Sequence, residues 1–555
     1  MDLRGGRRGA VDVKRGTMHL TWIQDSGRAI STRVDVPSTG LIHGAVVLVP
    51  SVGREAVVAF RTMRALAVAC AAAGFVAYSP ALSGTGDSED VGEHLAHAWR
   101  ADVDAAVTRA RGAVGPLPVH VIALRVGVTL LDGLSALPGE MRIAWEPVAF
   151  STFLRRSLAV RRLTIPREAV PDAVEIPGAA YRPEEVEALK ALTLPAPGSG
   201  VTVVKEPDRA VADKIASVSP HFAQIPVASI ERLVDLLPTD SSAPMRPEVG
   251  TDVDVEVAAR IAVSTGVAVL ERHVLVGPHA LPGVLTEPPE GMMPRRAVVF
   301  TAMGAELRSG PGDLWTRAAR ELAARGVVCL RVDRRYLGDA LDTSSVTEPR
   351  PYTHECVDDV ADAVRWLGER TALPVSGVGV CSGAWSFLRA STRVDIAEIV
   401  VVNNIDWDPD PTSYDESFYE QAFRFDTAMN DGLIDDGSDE DAPPGARAEL
   451  ARRFRSVRHR LGVRFPGVRA VLRQERVSTT VSVMLDDVPP STRVYLVLGP
   501  KEHSRFTLLD GDRALSRASR RGAALQVRVR EDFDHSMLSE GARRRLLADL
   551  LDILD

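Results

Sequence analysis

The 555-residue chain carries 45% hydrophobic and 25% charged residues, ordinary globular values that exclude a wholly disordered chain. At ~100–200 residues per domain the length suits two to four domains. The net charge of −8, from 66 basic and 74 acidic residues, gives no support to nucleic-acid binding driven by phosphate attraction.

The N-terminal MDLRGGRRGAVDVKRG is basic but has no apolar stretch behind it, so neither a secretory leader nor an anchor is expected. No apolar run approaches the ~20 residues that span a bilayer, and the expected location is the cytoplasm. The first recognisable element is the apolar strand AVVLVP from Ala45, followed by the loop SVGRE. A helical stretch, RTMRALAVACAAAG, ends at Gly74 in a C-cap role. The strand FVAYSP then leads into LSGTGDSED, the amphipathic helix ADVDAAVTRARGAV, and the strand PVHVIALRVG. The same layout returns from Ala297, 252 residues later. AVVFT is followed by AMGAELRSGPG, the helix LWTRAARELAARG, and VVCLRVD before RRYLGDALD. CVDDVADAVRWLGER and PVSGVGVCSG complete the second copy. Strands alternating with helices predict parallel sheets covered on both faces, so the fold class is α/β with two tandem units.

The Pro/Gly-rich TEPPEGMMPRR (286–296) marks the joint, and two alternating strands upstream of it are expected to open the second sheet. This places the domains at 1–265 and 266–555. A lid is expected at about 406–488, with a mobile acidic loop within 430–445. The lid's arginines (447, 452, 453, 455, 458 and 460) are either a solvated helix face in an Arg-rich chain or a docking surface for an anionic donor. Lysine occurs only at positions 14, 190, 205, 214 and 501, so single arginines carry little functional weight.

The chemistry is expected in the second copy. Gly379-Val380-Cys381-Ser382-Gly383 has the G-x-nucleophile-x-G pattern of a nucleophile elbow at a strand–helix junction. Cys381 lies centrally; a shifted register would make Ser382 the nucleophile. The base is expected at His535, in Phe533-Asp534-His535-Ser536 after the last strand. The acid should follow VYLVLG: Glu502 first, with Asp510 and Asp512 as alternatives. An oxyanion hole would use the backbone N–H of Ser382 and that of Met303 or Gly304. Asn403-Asn404-Ile405-Asp406-Trp407-Asp408 follows the strand EIVVV and is expected to line the pocket mouth, with Asn404, Asp406, Trp407 and also Gly304 as the pocket residues. Cys70, Cys329 and Cys356 fall on predicted helices and strands and read as core. The absence of CxxC spacing predicts no zinc site or disulfide framework, and no cofactor is expected. The first copy carries Arg125 at the elbow, and no histidine stands where a base belongs; His221 lies too early. That copy is expected to be inactive.

These residues resemble the α/β-hydrolase superfamily, over nearly the whole chain twice. The two strand–loop–helix blocks from Val49 and Phe300 resemble the paired α/β-hydrolase-like proteins of exosortase and exopolysaccharide gene clusters. There one partner has an L-R-L-G-type elbow, similar to Leu124-Arg125-Val126-Gly127, and the other a G-x-C-x-G elbow, so this chain looks like a fusion of both. The resemblance implies two α/β-hydrolase domains with helical lids, and acyl chemistry in a polysaccharide or secondary-metabolite setting. The substrate would be an acyl ester or thioester, carried on coenzyme A or a carrier protein. The rival expectation is a non-catalytic scaffold that binds an acylated carrier or small molecule. One departure is that Gly86-Asp87-Ser88 becomes Gly338-Asp339-Ala340 in the second copy.

Overall fold

The computed structural model describes residues 17–38, 42–91, 94–165, 168–239, 255–264, 266–340, 351–408 and 480–555. Most of the expected lid, including its acidic loop and arginines, lies outside these residues.

The first sheet contains β1 (Thr17–Asp25), β2 (Arg28–Val36), β3 (Gly44–Val49), β4 (Phe75–Pro80), β5 (Val119–Leu124) and β6 (Arg142–Trp145). The short hairpin β7 (Val174–Ile176) and β8 (Ala179–Tyr181) stands apart, and β9 (Val201–Val204) completes the sheet. The order is β1-β2-β4-β3-β5-β6-β9, antiparallel at the β1–β2–β4 end and parallel thereafter. Helices α1 (Arg54–Ala72), α2 (Leu95–Val114), α3 (Phe150–Thr164), α4 (Pro183–Lys190), α5 (Arg209–Ala216) and α6 (Val227–Asp235) belong to this domain.

The second sheet contains β10 (Ala258–Ala262), β11 (Ala268–Val276), β12 (Leu281–Glu287), β13 (Arg296–Thr301), β14 (Val327–Val332), β15 (Val375–Val380), β16 (Glu398–Val402), β17 (Arg493–Leu498) and β18 (Leu525–Val529). Its helices are α7 (Leu314–Ala323), α8 (His354–Thr371), α9 (Ser382–Ala390), α10 (Thr480–Asp487), α11 (Pro500–Leu508), α12 (Gly511–Arg520) and α13 (Glu540–Leu554). The order β10-β11-β12-β14-β13-β15-β16-β17-β18 repeats the first sheet and adds one strand at each edge. The expected boundary near 266 is therefore too late: β10 pairs antiparallel with β11, so the second sheet already begins at Ala258. The added β18 precedes the loop that carries His535. Among the described residues the first sheet has no counterpart to it.

The central strands are apolar on both faces because helices cover both. Every residue of β3, β5, β14 and β15 is buried. The helices follow their apolar stripes; in α7, Leu314, Trp315, Ala318, Ala319 and Leu322 face the sheet. Thr353 caps α8 by accepting the Cys356 N–H at 3.2 Å.

Charge also joins the two domains. Five arginines (33, 64, 308, 320 and 331) and five carboxylates (Asp35, Asp87, Glu271, Asp333 and Asp339) are buried in one interdomain network. Asp87 and Asp339, equivalent residues of the two copies, lie at its centre. Asp339 accepts from Arg33 at 2.8 Å and from Arg308 at 2.7 Å. Asp87 accepts from Arg308 at 2.9 Å and also from Arg331. The G-D pair is thus used for docking in both copies, while the Ser88 hydroxyl bonds within the first domain, accepting from Ser31 N–H at 2.9 Å, and its carbonyl accepts from Arg320 at 3.1 Å. Balance matters here, because removing one partner of a buried pair typically costs ~3–5 kcal/mol. An apolar cluster of Trp22, Ala29, Ile261 and Val269 seals one flank, with Trp22 stacked on His273 at 4.8 Å.

Candidate active site

At the end of β15 the chain turns sharply into α9. Cys381 sits at the turn with φ 51° and ψ −116°, a strained conformation for a residue with a side chain. The flanking glycines permit it. A Cβ at Gly379 would lie 2.4 Å from the Gly383 carbonyl carbon, and one at Gly383 would lie 3.0 Å from Ala302 O. The alternative register is not adopted, since the Ser382 hydroxyl is buried and accepts the Gly304 N–H at 2.8 Å.

The three expected triad residues come together. Glu502 lies in the first turn of α11, is 1% exposed, and its Oε1 meets His535 Nδ1 at 2.9 Å. His535 also lies beside Cys381, close enough for each to shift the other's titration. The two alternative acids do not reach the imidazole: Asp510 stands at the N-cap of α12, with Asp512 in its first turn. Asp534 closes its own loop, accepting from Leu538 N–H at 2.8 Å and Ser539 N–H at 2.9 Å.

Burial pushes the Cys381 thiol up. The charge and hydrogen bond of His535, the Tyr352 hydroxyl and the Ser382 N–H outweigh it, so its pKa lies below the ordinary value of 9.0. Burial lowers His535, but the Cys381 thiolate and then Glu502 carry it up to about 10. Each partner therefore favours the charged form of the other. The core thiols behave oppositely: burial lifts Cys70 to about 12 and Cys329 higher still. All four cysteines are free.

One position at the site escapes sequence reasoning. Tyr352, just before α8, places its hydroxyl 3.4 Å from Cys381 Sγ and packs edge-on against Trp385. Nothing in its local sequence marks it. Asn403, expected at the pocket mouth, is instead fully buried and, at φ 47°, ties three loops together. Its Nδ2 donates to Asp534 O at 2.9 Å and His535 O at 3.1 Å, while its Oδ1 accepts the Gly499 N–H at 2.8 Å.

The expected pocket mouth needs correction. Asn404 is fully buried and its Nδ2 holds Asp406 O at 2.8 Å. Trp407 is 1% exposed and packs on Phe506, because its large apolar ring is stabilised in the core. Of the three, only Asp406 is partly exposed. Gly304 is covered by His221 of the first domain rather than open. Met303 lies beside it in the same loop, 8% exposed.

The degenerate elbow keeps its backbone. Arg125 has φ 51°, as Cys381 does, and a Cβ at Gly127 would lie 2.3 Å from Pro50 O. Arg125 forms a bidentate pair with Glu55, both contacts at 2.8 Å. The guanidinium fills the nucleophile position and ties the elbow to α1. Among the described residues no cluster of His, Cys, Asp or Glu is arranged to hold a metal. No described helix is long and apolar enough to cross a membrane. A cavity of about 110 Å³ lies between the domains, lined by Arg33, Arg64, Asp87, Arg308 and Asp339, away from the triad.

The strand order and the strained strand–helix elbow, both present in each sheet, are those of an α/β-hydrolase fold, present twice. No protein-family model matches the sequence, and no curated protein matches it. Solved structures similar to it include a dienelactone hydrolase from Anabaena variabilis, at 15% identity over 54% of this chain and 97% of that one, TM-score 0.31. Esterase Est22 is similar at 16% identity over 53% and 80%, TM-score 0.33. A puromycin-hydrolyzing peptidase from Mycobacterium tuberculosis is similar at 18% identity over 53% of this chain, which spans 45% of that protein, TM-score 0.31.

Proposed function

We propose that the second domain is an acyl-transfer enzyme, a thioesterase or other hydrolase or an acyltransferase, working through Cys381, His535 and Glu502. The observation that carries this reading is Cys381 on a strained elbow beside a His535–Glu502 hydrogen bond of 2.9 Å, with its thiol lowered while the core thiols Cys70 and Cys329 are raised. The thiolate attacks the acyl carbonyl: an S–C bond forms and the carbonyl π pair moves onto oxygen. The Ser382 N–H and an N–H of the Met303 loop would receive that oxyanion. Collapse expels the leaving group, which takes the proton from the His535 imidazolium. Neutral His535 then removes a proton from the acceptor as it adds to the acyl carbon, and the thiolate departs. Glu502 holds the imidazole and stabilises its charged form throughout. The Tyr352 hydroxyl stabilises the resting thiolate.

A thiol nucleophile suits thioester donors, because thiol exchange is nearly balanced in energy. The donor class is therefore an acyl ester or thioester, carried on coenzyme A or a carrier protein, in a cytoplasmic biosynthetic setting of the polysaccharide or secondary-metabolite kind. Iodoacetamide at neutral pH, followed by peptide mass spectrometry, tests the reading. Cys381 should alkylate at least about tenfold faster than Cys329, and His535→Ala should abolish the difference. Equal rates at the two cysteines would favour the non-catalytic scaffold instead.

A further inference from the structure

His221 has no place in any triad, yet it lies against the loop that follows β13. A Cβ at Gly304 would sit 2.4 Å from His221 Nε2 and 2.6 Å from Cε1, so the ring occupies the space a side chain there would need. Burial and the nearby Arg54 and Arg334 hold this imidazole down to about 4, so it is neutral at physiological pH. The same loop is held from the first domain by the Arg54–Glu306 pair. Its opposite side is bonded to the elbow through Gly304 N–H and Ser382 Oγ at 2.8 Å.

The histidine loop has a matching contact. The β7–β8 hairpin of the first domain donates Gly178 N–H to Leu538 O at 3.0 Å, three residues beyond His535. Glu175 of the same hairpin accepts the Glu540 N–H at 3.1 Å, at the start of α13. One inactive domain thus touches both backbone segments that must be placed relative to Cys381.

We infer that the first domain is a fixed part of the second domain's active site, with His221 positioning the oxyanion loop and the Glu175–Gly178 hairpin positioning the histidine loop. These are positioning residues, and the inference rests on the acyl-transfer reading above. It explains why a copy without nucleophile or base keeps its elbow geometry and its docking charges. A displacement of ~1 Å at either loop is enough to cost about 10²-fold in rate.

The test separates the two loops in the full chain. Alkylation of Cys381 by iodoacetamide needs the thiolate but no oxyanion hole; acyl transfer from p-nitrophenyl acetate needs both. His221→Ala should slow acyl transfer about 10- to 100-fold and leave the alkylation rate and its pH profile unchanged, with His221→Gln restoring part of the loss. Glu175→Ala should slow both reactions, because it releases the histidine loop, and Glu175→Gln should rescue both, since its amide oxygen still accepts the Glu540 N–H. Acyl transfer unchanged in His221→Ala, or falling in parallel with alkylation, would overturn the inference while leaving the acyl-transfer reading intact. A wild-type protein that alkylates rapidly but forms no acyl product would overturn both.

Discussion

Replacing His535 by Gln removes the imidazolium beside the Cys381 thiol while keeping a polar side chain of similar reach. The magnitude follows from the cysteines themselves. Cys70, fully buried, is lifted from 9.0 to about 12 chiefly by burial and in smaller part by Asp35. Wild-type Cys381 lies below 9.0 because His535, Tyr352 and the Ser382 N–H together overcome the same burial. Without the imidazolium the thiol moves toward the Cys70 value, held back by the two remaining hydrogen bonds. The thiolate population at pH 7.5 should then fall at least about tenfold, since each tenfold change is one pKa unit. The assay is the second-order rate of iodoacetamide alkylation against pH. The wild-type profile should rise at lower pH than that of an ordinary thiol, because His535 holds the thiol down. The variant should rise about tenfold per pH unit through pH 9. A wild-type profile that itself rises as an ordinary thiol, or a His535→Gln rate equal to wild type at pH 7.5, would refute the reasoning.

Other consequences can be measured directly. Asn403→Ala leaves the Asp534 and His535 carbonyls and the Gly499 N–H without their shared partner, and should lower stability by ~1–3 kcal/mol in denaturant titrations and acyl transfer by at least tenfold. Gly304→Ala places a Cβ 2.4 Å from His221 at a positive φ of 47°, and should impair acyl transfer more than His221→Ala does in the same assay. Arg125→Cys puts a thiol on a preserved elbow, but burial and Glu55 oppose its ionisation and no histidine faces it; peptide mapping should find it alkylated no faster than Cys329. On acidification the interface groups divide by sign. His221 and His273, both lowered to about 4 chiefly by burial, lose stability between pH 6.5 and 4. Asp333 and Asp313, both raised to about 6 chiefly by burial, relieve a cost in the same window. Asp87 is subject to the same burial but held to about 2 by Arg308 and Arg331, and its contribution of about 2 kcal/mol, present above pH 3.8, is lost as the pH falls from 3.8 through 2. Thermal unfolding should therefore change little down to about pH 4 and collapse below it; a collapse already complete at pH 5 would contradict the assignment.

The triad was legible because each member obeys a local rule: a glycine-flanked elbow for Cys381, a post-strand loop for His535, and the first turn after a strand for Glu502. The repeat was legible for the same reason, since buried parallel strands read as continuous apolar runs. Tyr352 was not, and Asn403 was expected at the pocket mouth rather than under the histidine loop, because both positions are set by contacts between segments that no spacing encodes. Asp87 and Asp339 were visible as a motif, but their use became clear only when docking brought Arg308, Arg33 and Arg331 to them. Trp407 was misplaced because a residue after a strand can turn into the core as easily as toward a mouth. β10 was missed because five residues of mixed polarity carry little signal until their partner strand is known.

The central claim is that Cys381 carries the acyl group. Rapid quenching in acid after mixing with p-nitrophenyl acetate, then mass analysis of the peptide bearing Cys381, measures this directly. The account predicts an acetyl adduct on that peptide, absent in Cys381→Ala and slow to form in His535→Gln. Acetyl transfer that proceeds unchanged in Cys381→Ala, or an adduct on Ser382 in place of Cys381, would contradict it.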